Sequence, residues 1–379
     1  MTHAQPTRPG NRPGPRIIAF AAIFILAAAG LGALGAYLLT GKSGTPAAPP
    51  PAASGKCAPN AMLVNPCRPW FGAAASGNPG AGASRVAQFD YLERLIGQRL
   101  DIFRDYHSAP GSNALGDLPL NSDEIQLARQ PGTYIDVNWK PAPTFAQADG
   151  GDPVVNREID QVAASIKSIA PHKIFMTIWW EPQNDVTSDP GANCFLSPNA
   201  AGGTPAQYIA MWRNVENRFR AAGATNVVWA MDYQAPANGQ YDCLVPLLWP
   251  GNSLIDWVIY DTYSRHGHAT WQNTVGRFYQ VLARDSSPSV DFDAKPWGLG
   301  EFSTCSNTNT TAANDFYLEA KSAFEANLYP RLKMYLVYAD SGGPKAGPGC
   351  LSNYNNFGQS DTTKQANFNQ FAKAVLSHQ

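Results

Sequence analysis

Short apolar runs alternate with amphipathic stretches from Trp70 to Val375, and this alternation constrains the fold more than any other property of the chain. The runs cover residues 70–71, 100–106, 134–139, 174–180, 227–231, 255–260, 297–299 and 334–338. They are near-continuous rather than period-two, as expected of strands covered on both faces. Between them, residues 86–96, 159–169, 208–219, 275–282, 316–324 and 368–375 carry apolar side chains at helical spacing. Thr204-Pro205 supplies a cap followed by proline at the first helical position. Eight strands alternating with helices predict an α/β protein, a (β/α)8 TIM barrel with long loops after some strands. An open doubly wound sheet is the alternative, but neither Gly-x-Gly-x-x-Gly nor a Walker-type phosphate loop occurs.

The segment before the barrel has its own signature. Arg8, Arg12 and Arg16 precede residues 17–39, which carry no charge, and Lys42 follows. A stretch of that length spans a bilayer as a helix, and the basic flank keeps the N-terminus in the cytoplasm. A cleaved signal peptide is the alternative, with Ala33 and Gly35 near the cleavage site. Residues 40–56 are rich in Pro, Ala, Gly and Ser and read as an extended tether. The expected organisation is therefore a cytoplasmic tail at 1–16, an anchor or signal segment at 17–39, a linker at 40–56 and a barrel domain at 57–379.

Six cysteines accord with export, whether membrane-anchored or secreted. No Cys-x-x-Cys pair is present, so neither a zinc nor a redox motif is expected. Cys57 and Cys67 bracket a short segment before the first strand, whereas Cys194, Cys243, Cys305 and Cys350 each follow a strand. Of the fifteen pairings that six cysteines allow, these positions favour Cys57–Cys67, Cys194–Cys243 and Cys305–Cys350. A formal net charge of −1 gives no electrostatic reason to expect nucleic acid. Charged residues make up only 15% of the chain, beside 10 Trp and 15 Tyr. Flat aromatic faces among neutral polar groups suit a hydroxyl-rich ligand such as a sugar, although aromatics also fill cores.

The chemistry concentrates in two carboxylates. Of eight glutamates, six lie in polar or helix-like stretches, but Glu181 and Glu301 follow apolar runs four and seven. A carboxylate at the end of a buried strand is costly unless it is paired or used. Barrel active sites form at the carboxyl ends of the strands, and two carboxyl groups about 5–5.5 Å apart permit retaining glycoside hydrolysis. Salt-bridged strand ends are the bland reading.

Here the residues resemble a known family. Placing these glutamates after strands four and seven is similar to the clan A glycoside hydrolases. The stretch from Trp249 to Tyr263, Trp-Pro-Gly-Asn-Ser-Leu-Ile-Asp-Trp-Val-Ile-Tyr-Asp-Thr-Tyr, resembles the strand-six segment of family 26, the β-mannanase-type endoglycanases. Trp179-Trp-Glu-Pro-Gln-Asn184 looks like that family's His-Glu segment, and Gly300-Glu-Phe-Ser303 like its nucleophile strand. The resemblance covers residues 68–376 and implies Glu181 as general acid/base, Glu301 as nucleophile and Tyr263 as donor to Glu301. It implies no cofactor and no metal, a polysaccharide as substrate, and a monomer. One position departs: Trp180 stands where the family has histidine, and indole cannot accept a hydrogen bond as imidazole does. A non-catalytic glycan-binding protein on a degenerate barrel is the alternative this departure supports.

Other candidates for substrate contact are Trp180 itself, Asn184, His107, Trp139 and Tyr338. Arg104, Asp105 and His107 close the second strand, where an Arg-Asp pair is commonly structural. Trp139 and Lys140 close the third, and Trp139 is either a sugar platform or a barrel cap. Tyr233 carries the same ambiguity. His266 and His268 flank Gly267, but no third metal ligand is apparent.

Overall fold

The computed structural model describes residues 57–76, 84–108, 118–189, 191–264, 269–304, 310–340 and 362–378. Eight parallel strands close into one barrel in sequence order. They are β1 (Trp70–Ser76), β2 (Ile102–His107), β3 (Tyr134–Trp139), β4 (Ile174–Ile178), β5 (Val227–Gln234), β6 (Trp257–Ser264), β7 (Trp297–Thr304) and β8 (Leu332–Asp340). β1 closes the ring against β8, with Trp70 opposite Met334 and Ala74 opposite Tyr338. Every expected strand is present, and the doubly wound alternative is excluded by closure.

The described helices are α1 (Arg85–Ile96), α2 (Ser122–Ala128), α3 (Pro153–Ser168), α4 (Pro205–Ala222), α5 (Arg277–Asp285), α6 (Thr310–Glu325) and α7 (Thr362–Leu376). Their starts follow local chemistry. Thr204 caps α4 in a reciprocal box with Gln207, Pro205 holds the first helical position, and Gly223 ends the helix in the left-handed region. Asp152 caps α3 by accepting from Val154 and Val155 N–H. The apolar spacing of the sequence did not indicate α2, which is too short to show a period. An Asn121–Glu124 capping box and burial of Leu127 stabilise it.

Among the described residues the buried apolar side chains fall into two regions. The larger lies between strands and helices and includes Phe71, Phe103, Met231, Trp297 and Phe302. The smaller combines Trp70, Ile102, Phe175, Val228, Ala230, Trp257, Ile259, Met334 and Leu336 with Leu63. These strand residues share one parity on each strand, so they fill the barrel interior and plug its lower end. Continuing two residues at a time, Ile102 leads to Arg104 and Tyr106, Ala230 to Asp232, Ile259 to Asp261 and Tyr263, and Leu336 to Tyr338. A charged layer therefore lies above the apolar plug, and a tyrosine layer above that at the carboxyl-end mouth.

Strand β7 breaks this parity. Leu299 pairs with Tyr260, and Glu301 with Asp261, leaving Gly300 as the extra residue of a bulge. Leu299 and Phe302 both belong to the outer core. Without the extra residue, Glu301 would share the helix-facing side with Leu299. The bulge instead brings both Gly300 and Glu301 inside. Only glycine fits at 300: a Cβ there would lie 2.6 Å from Asp261 Oδ1 and 2.7 Å from Arg104 Nη1. Contrary to the expectation that it ends strand seven, Glu301 sits within β7, and three more residues follow it in the strand.

Cys57–Cys67 and Cys194–Cys243 are bonded as expected. The first closes the segment ahead of β1, and the second joins the loops after β4 and β5. The Cys305–Cys350 pairing, His266, His268 and the segments at 1–16, 17–39 and 40–56 lie outside the described residues. Among the described residues no helix is long and apolar enough to cross a membrane.

Candidate active site

Glu301 sits in the barrel mouth with both carboxylate oxygens engaged. Tyr106 donates its hydroxyl to Oε1, and Tyr263 donates to Oε2. Burial and the neighbouring carboxylates push both phenols well above their ordinary pKa, so they stay protonated and remain donors. Tyr263 thus makes the contact that sequence reasoning gave it. Tyr106 is a partner that reasoning missed. Its signal was parity with Arg104, which identifies an inward-facing pair only once the barrel is closed.

Beneath Glu301 the guanidinium of Arg104 is fully buried. Its Nη1 donates to Asp136 at 2.8 Å, and its Nη2 to Asp232 at 2.5 Å and Asp261 at 3.4 Å. Nε donates to the Tyr106 oxygen at 2.9 Å, and Glu301 Oε1 lies 3.7 Å from Nη2. Burial alone would depress the Arg104 pKa, but Tyr106 and the three aspartates outweigh it and raise it well above the usual value. Four carboxylates around one guanidinium cannot all be ionised at little cost. Burial, opposed by Arg104, lifts Asp232 to about 6. Asp261 is driven well above the usual carboxylate range by burial, then by Asp232 and Glu301, and less strongly by Glu181. Glu301 and Glu181 therefore both act on the same buried aspartate from the barrel mouth.

The sequence expectation of an Arg104–Asp105 strand-end pair is overturned by strand geometry. Adjacent residues face opposite sides, so Arg104 points inward and Asp105 outward. Asp105 instead pairs with Arg85 at 2.7 Å, and burial together with Glu124 raises its pKa to about 6. His107 shares this outer face. It is 1% exposed, and its Nε2 lies 2.8 Å from Glu124 Oε1. The second Glu124 oxygen accepts from the Leu120 and Asn121 N–H groups. His107 thus braces the start of α2 and is not in the mouth with Glu301. Trp139 is likewise fully buried in the outer core and offers no face to a sugar. Tyr233 is buried there too, against Phe278 and Phe292.

Glu181 lies beyond the end of β4, in a sharply turned segment. Trp179 and Glu181 both have left-handed backbones, with φ of 62° and 49°. Such positions cost of order 1–3 kcal/mol for residues other than glycine and need surrounding support. Trp179 supplies it. Its indole N–H donates to Asp185 Oδ2 at 2.8 Å, its ring meets Phe145 at 4.5 Å, and its backbone N–H donates to Trp139 O. Lys140 lies over both Trp179 and Trp180, at 5.0 and 4.7 Å from the ring centres, and pairs with Asp185 at 2.9 Å. Asn184 donates to Glu181 Oε2 at 2.9 Å. Trp180 is half-buried and meets Tyr106 edge to face at 5.4 Å, and Tyr338 meets Tyr263 at 6.1 Å. Glu301, Tyr263, Trp180 and Tyr338 thus form one connected rim.

A cleft of about 500 Å³ opens beside this rim, lined by Asn184, Gln234, Asn238, Tyr241, Asp261 and Tyr263 among others. Its walls are uncharged apart from Asp261 and mix polar side chains with the apolar Pro236, Ala237 and Ala269. Among the described residues, two groups of side chains have ligand-type atoms close enough for a metal: Asp105–His107–Glu124 and Asp189–Cys194–Cys243. Arg85 already neutralises Asp105 in the first, and the sulfurs of the second form a disulfide.

No family model matches the chain. Among curated proteins, Endoglucanase H of Acetivibrio thermocellus is 24% identical over 215 residues, 56% of this chain and 22% of that protein. The chain thus matches about a fifth of that relative's length. Among solved structures, the GH26C protein of a Muricauda species has a TM-score of 0.56 at 14% identity, covering 83% of this chain and 87% of that one. A GH26 β-mannanase from Bacteroides ovatus scores 0.53 at 16% identity over 83% and 91%. The catalytic domain of a GH26 endo-β-1,4-mannanase from Bacillus sp. JAMB-750 scores 0.53 at 14% over 81% and 86%. At these identities the likeness is one of fold: this chain is a (β/α)8 barrel built like those proteins.

Proposed function

We propose that this chain is an exported retaining endo-glycosidase of the family 26 type, cutting a β-linked polysaccharide of the mannan kind or a related β-glycan. The observation that carries the reading is Glu301, turned inward by a bulge and held by two protonated tyrosines, at the same barrel mouth as Glu181. The two hydroxyl donors hold both oxygens of Glu301 in place for attack. Glu301 attacks the anomeric carbon while Glu181 protonates the departing glycosidic oxygen, giving a glycosyl-enzyme and a released chain end. Glu181 then takes a proton from water as the water displaces Glu301. The names of the structural neighbours and of the curated relative support a β-glycan substrate. Two disulfides support export, with the N-terminal segment as anchor or signal.

Replacing Glu181 or Glu301 with glutamine in the full-length chain should lower turnover on the responsive member of a mannan, glucan and xylan panel by orders of magnitude. The melting temperature should hold within a few degrees. Proton NMR of the first product should show retained anomeric configuration. Hydrolysis by either variant at the wild-type rate would remove the assignment.

One observation favours a second reading, a glycan-binding protein without catalysis. Trp180 occupies the place next to Glu181 and lies edge to face on Tyr106, so the mouth is lined by rings where the family has an imidazole. A 2-fluoro glycosyl reagent separates the readings. A covalent adduct on Glu301 identifies an enzyme, and binding without an adduct identifies a lectin-like protein.

A further inference from the structure

The loop after β5 is built more rigidly than a connecting segment requires. Arg277 of α5 reaches across it, with Nη1 on Asp242 at 2.6 Å and Nη2 on the Pro236 carbonyl at 2.8 Å. Gly239 turns with φ of 69° directly beneath that guanidinium, where a Cβ would lie 3.0 Å from Arg277 Nη1 and 3.0 Å from Asp242 Oδ2. Cys243 is then bonded to Cys194 in the loop after β4. Tyr241, beside the disulfide, packs edge to face with the exposed ring of Phe195 at 5.3 Å. The loop lines the cleft with Gln234, Asn238, Gln240 and Tyr241 beside the apolar Pro236 and Ala237, with Asn184 from the β4 side and Asp261 and Tyr263 from β6. At the cleft floor, Gln234 Oε1 and Asp261 Oδ1 are buried acceptors that receive no hydrogen bond from the protein. Buried acceptors are ordinarily paired. Uncharged amides, an aromatic ring and acceptors awaiting donors match the hydroxyl groups of a neutral sugar.

The direction follows from the proposed acid. Glu181 protonates the oxygen that leaves, so the departing part of the polysaccharide lies on the side of Glu181 and its partner Asn184. The attacked sugar lies over Glu301, between Tyr106 and Tyr338. The cleft extends from Asn184 towards the β5 loop. We infer that the disulfide-stapled loop from Gln234 to Cys243 forms a subsite for a neutral sugar residue on the leaving-group side of the chain. This rests on the glycosidase reading above. Because the loop is held in place before any ligand arrives, ordering costs little on binding.

The test compares two kinds of substrate, an aryl glycoside and hexaoses, with the full-length protein. A 2,4-dinitrophenyl β-glycoside has a leaving group that needs no subsite, whereas mannohexaose and cellohexaose extend through the cleft. Losing the amide contacts of Asn238 and Gln240 should cost about tenfold in the ratio of kcat/KM for the hexaose to that for the aryl glycoside. The double variant Asn238→Ala, Gln240→Ala should show that fall. Cys194→Ser with Cys243→Ser, which unties the loop without removing a cleft side chain, should lower the ratio in the same direction. Ratios within twofold of wild type in both variants would overturn the inference. If wild type hydrolyses neither substrate, calorimetric titration with the same hexaoses decides. Binding weakened about tenfold by Asn238→Ala, Gln240→Ala keeps the subsite and removes the glycosidase reading; equal binding removes the subsite.

Discussion

Substituting Gly300 by alanine tests how the barrel makes Glu301 available. The added Cβ would stand 2.6 Å from Asp261 Oδ1 and 2.7 Å from Arg104 Nη1. Neither atom is the loose end of a flexible side chain. Arg104 is fixed by Asp136, Asp232 and Tyr106, and Asp261 is wholly buried. Ordinary contact requires each to retreat by roughly 0.7 Å, and crowding a packed interior in this way costs about 1–3 kcal/mol. A domain of typical stability, about 5–15 kcal/mol, stays folded after that loss. Activity should suffer more. Arg104 Nη2 lies 3.7 Å from Glu301, and Arg104 also holds the Tyr106 that donates to it, so the displacement passes directly to the carboxylate proposed as nucleophile. Misplacement approaching 1 Å costs about 10²-fold, near 2.7 kcal/mol in the barrier. Urea unfolding and kcat/KM on the active polysaccharide, measured on the same preparation, provide the check. A Gly300→Ala protein with unchanged unfolding midpoint and kcat/KM within a factor of two would refute both the bulge argument and the role given to Arg104.

Removing one hydroxyl by Tyr263→Phe should lower kcat by about 10–100-fold with little change in stability, since one donor to a charged acceptor is worth about 1.5–3 kcal/mol; steady-state kinetics decides it, and wild-type kcat would count against the contact. Arg104→Met strands Asp136, Asp232 and Asp261 without their cation and should cost about 3–5 kcal/mol of stability, read as a lowered urea midpoint. Burial raises the Asp105 pKa from an unfolded value near 4 to about 6. Its contribution is full below about pH 4 and is lost as pH rises through 6. The stability of Asp105→Asn relative to wild type should therefore increase between pH 4 and 7, by on the order of 2 kcal/mol, and a pH-independent difference would contradict the shift.

Much of the fold was legible because strands buried on both faces read as unbroken apolar runs. All eight appear, although the runs understate strand length wherever polar residues enter the barrel. The seventh run stops at Leu299, but β7 continues to Thr304, because Glu301, Ser303 and Thr304 are interior or paired residues that an apolar pattern does not recognise. Of the candidate site residues, Glu181 and Glu301 were visible as rare carboxylates after apolar runs. Tyr263 was visible only through its resemblance to a family segment. His107 and Trp139 were misjudged for a common reason: lying at a strand end does not say which side of the strand a residue faces. Arg104, Tyr106, Asp136, Asp232 and Asp261 form the heart of the site, yet they lie on four strands and share no local pattern.

The sequence by itself determined the alternation of elements, the two bonded cysteine pairs and the presence of two glutamates at one end of parallel strands. These follow from apolar runs, helix caps and spacing, which are local properties of the chain. Only the tertiary structure decided that Glu301 faces inward and which tyrosines hold it. It also decided that one guanidinium serves three aspartates from three different strands. The physical reason is the bulge at Gly300 and the closure of the barrel. A single extra residue reverses the side on which a carboxylate emerges, and closure brings side chains more than a hundred residues apart within hydrogen-bonding distance, as Arg104 and Asp232 are at 2.5 Å.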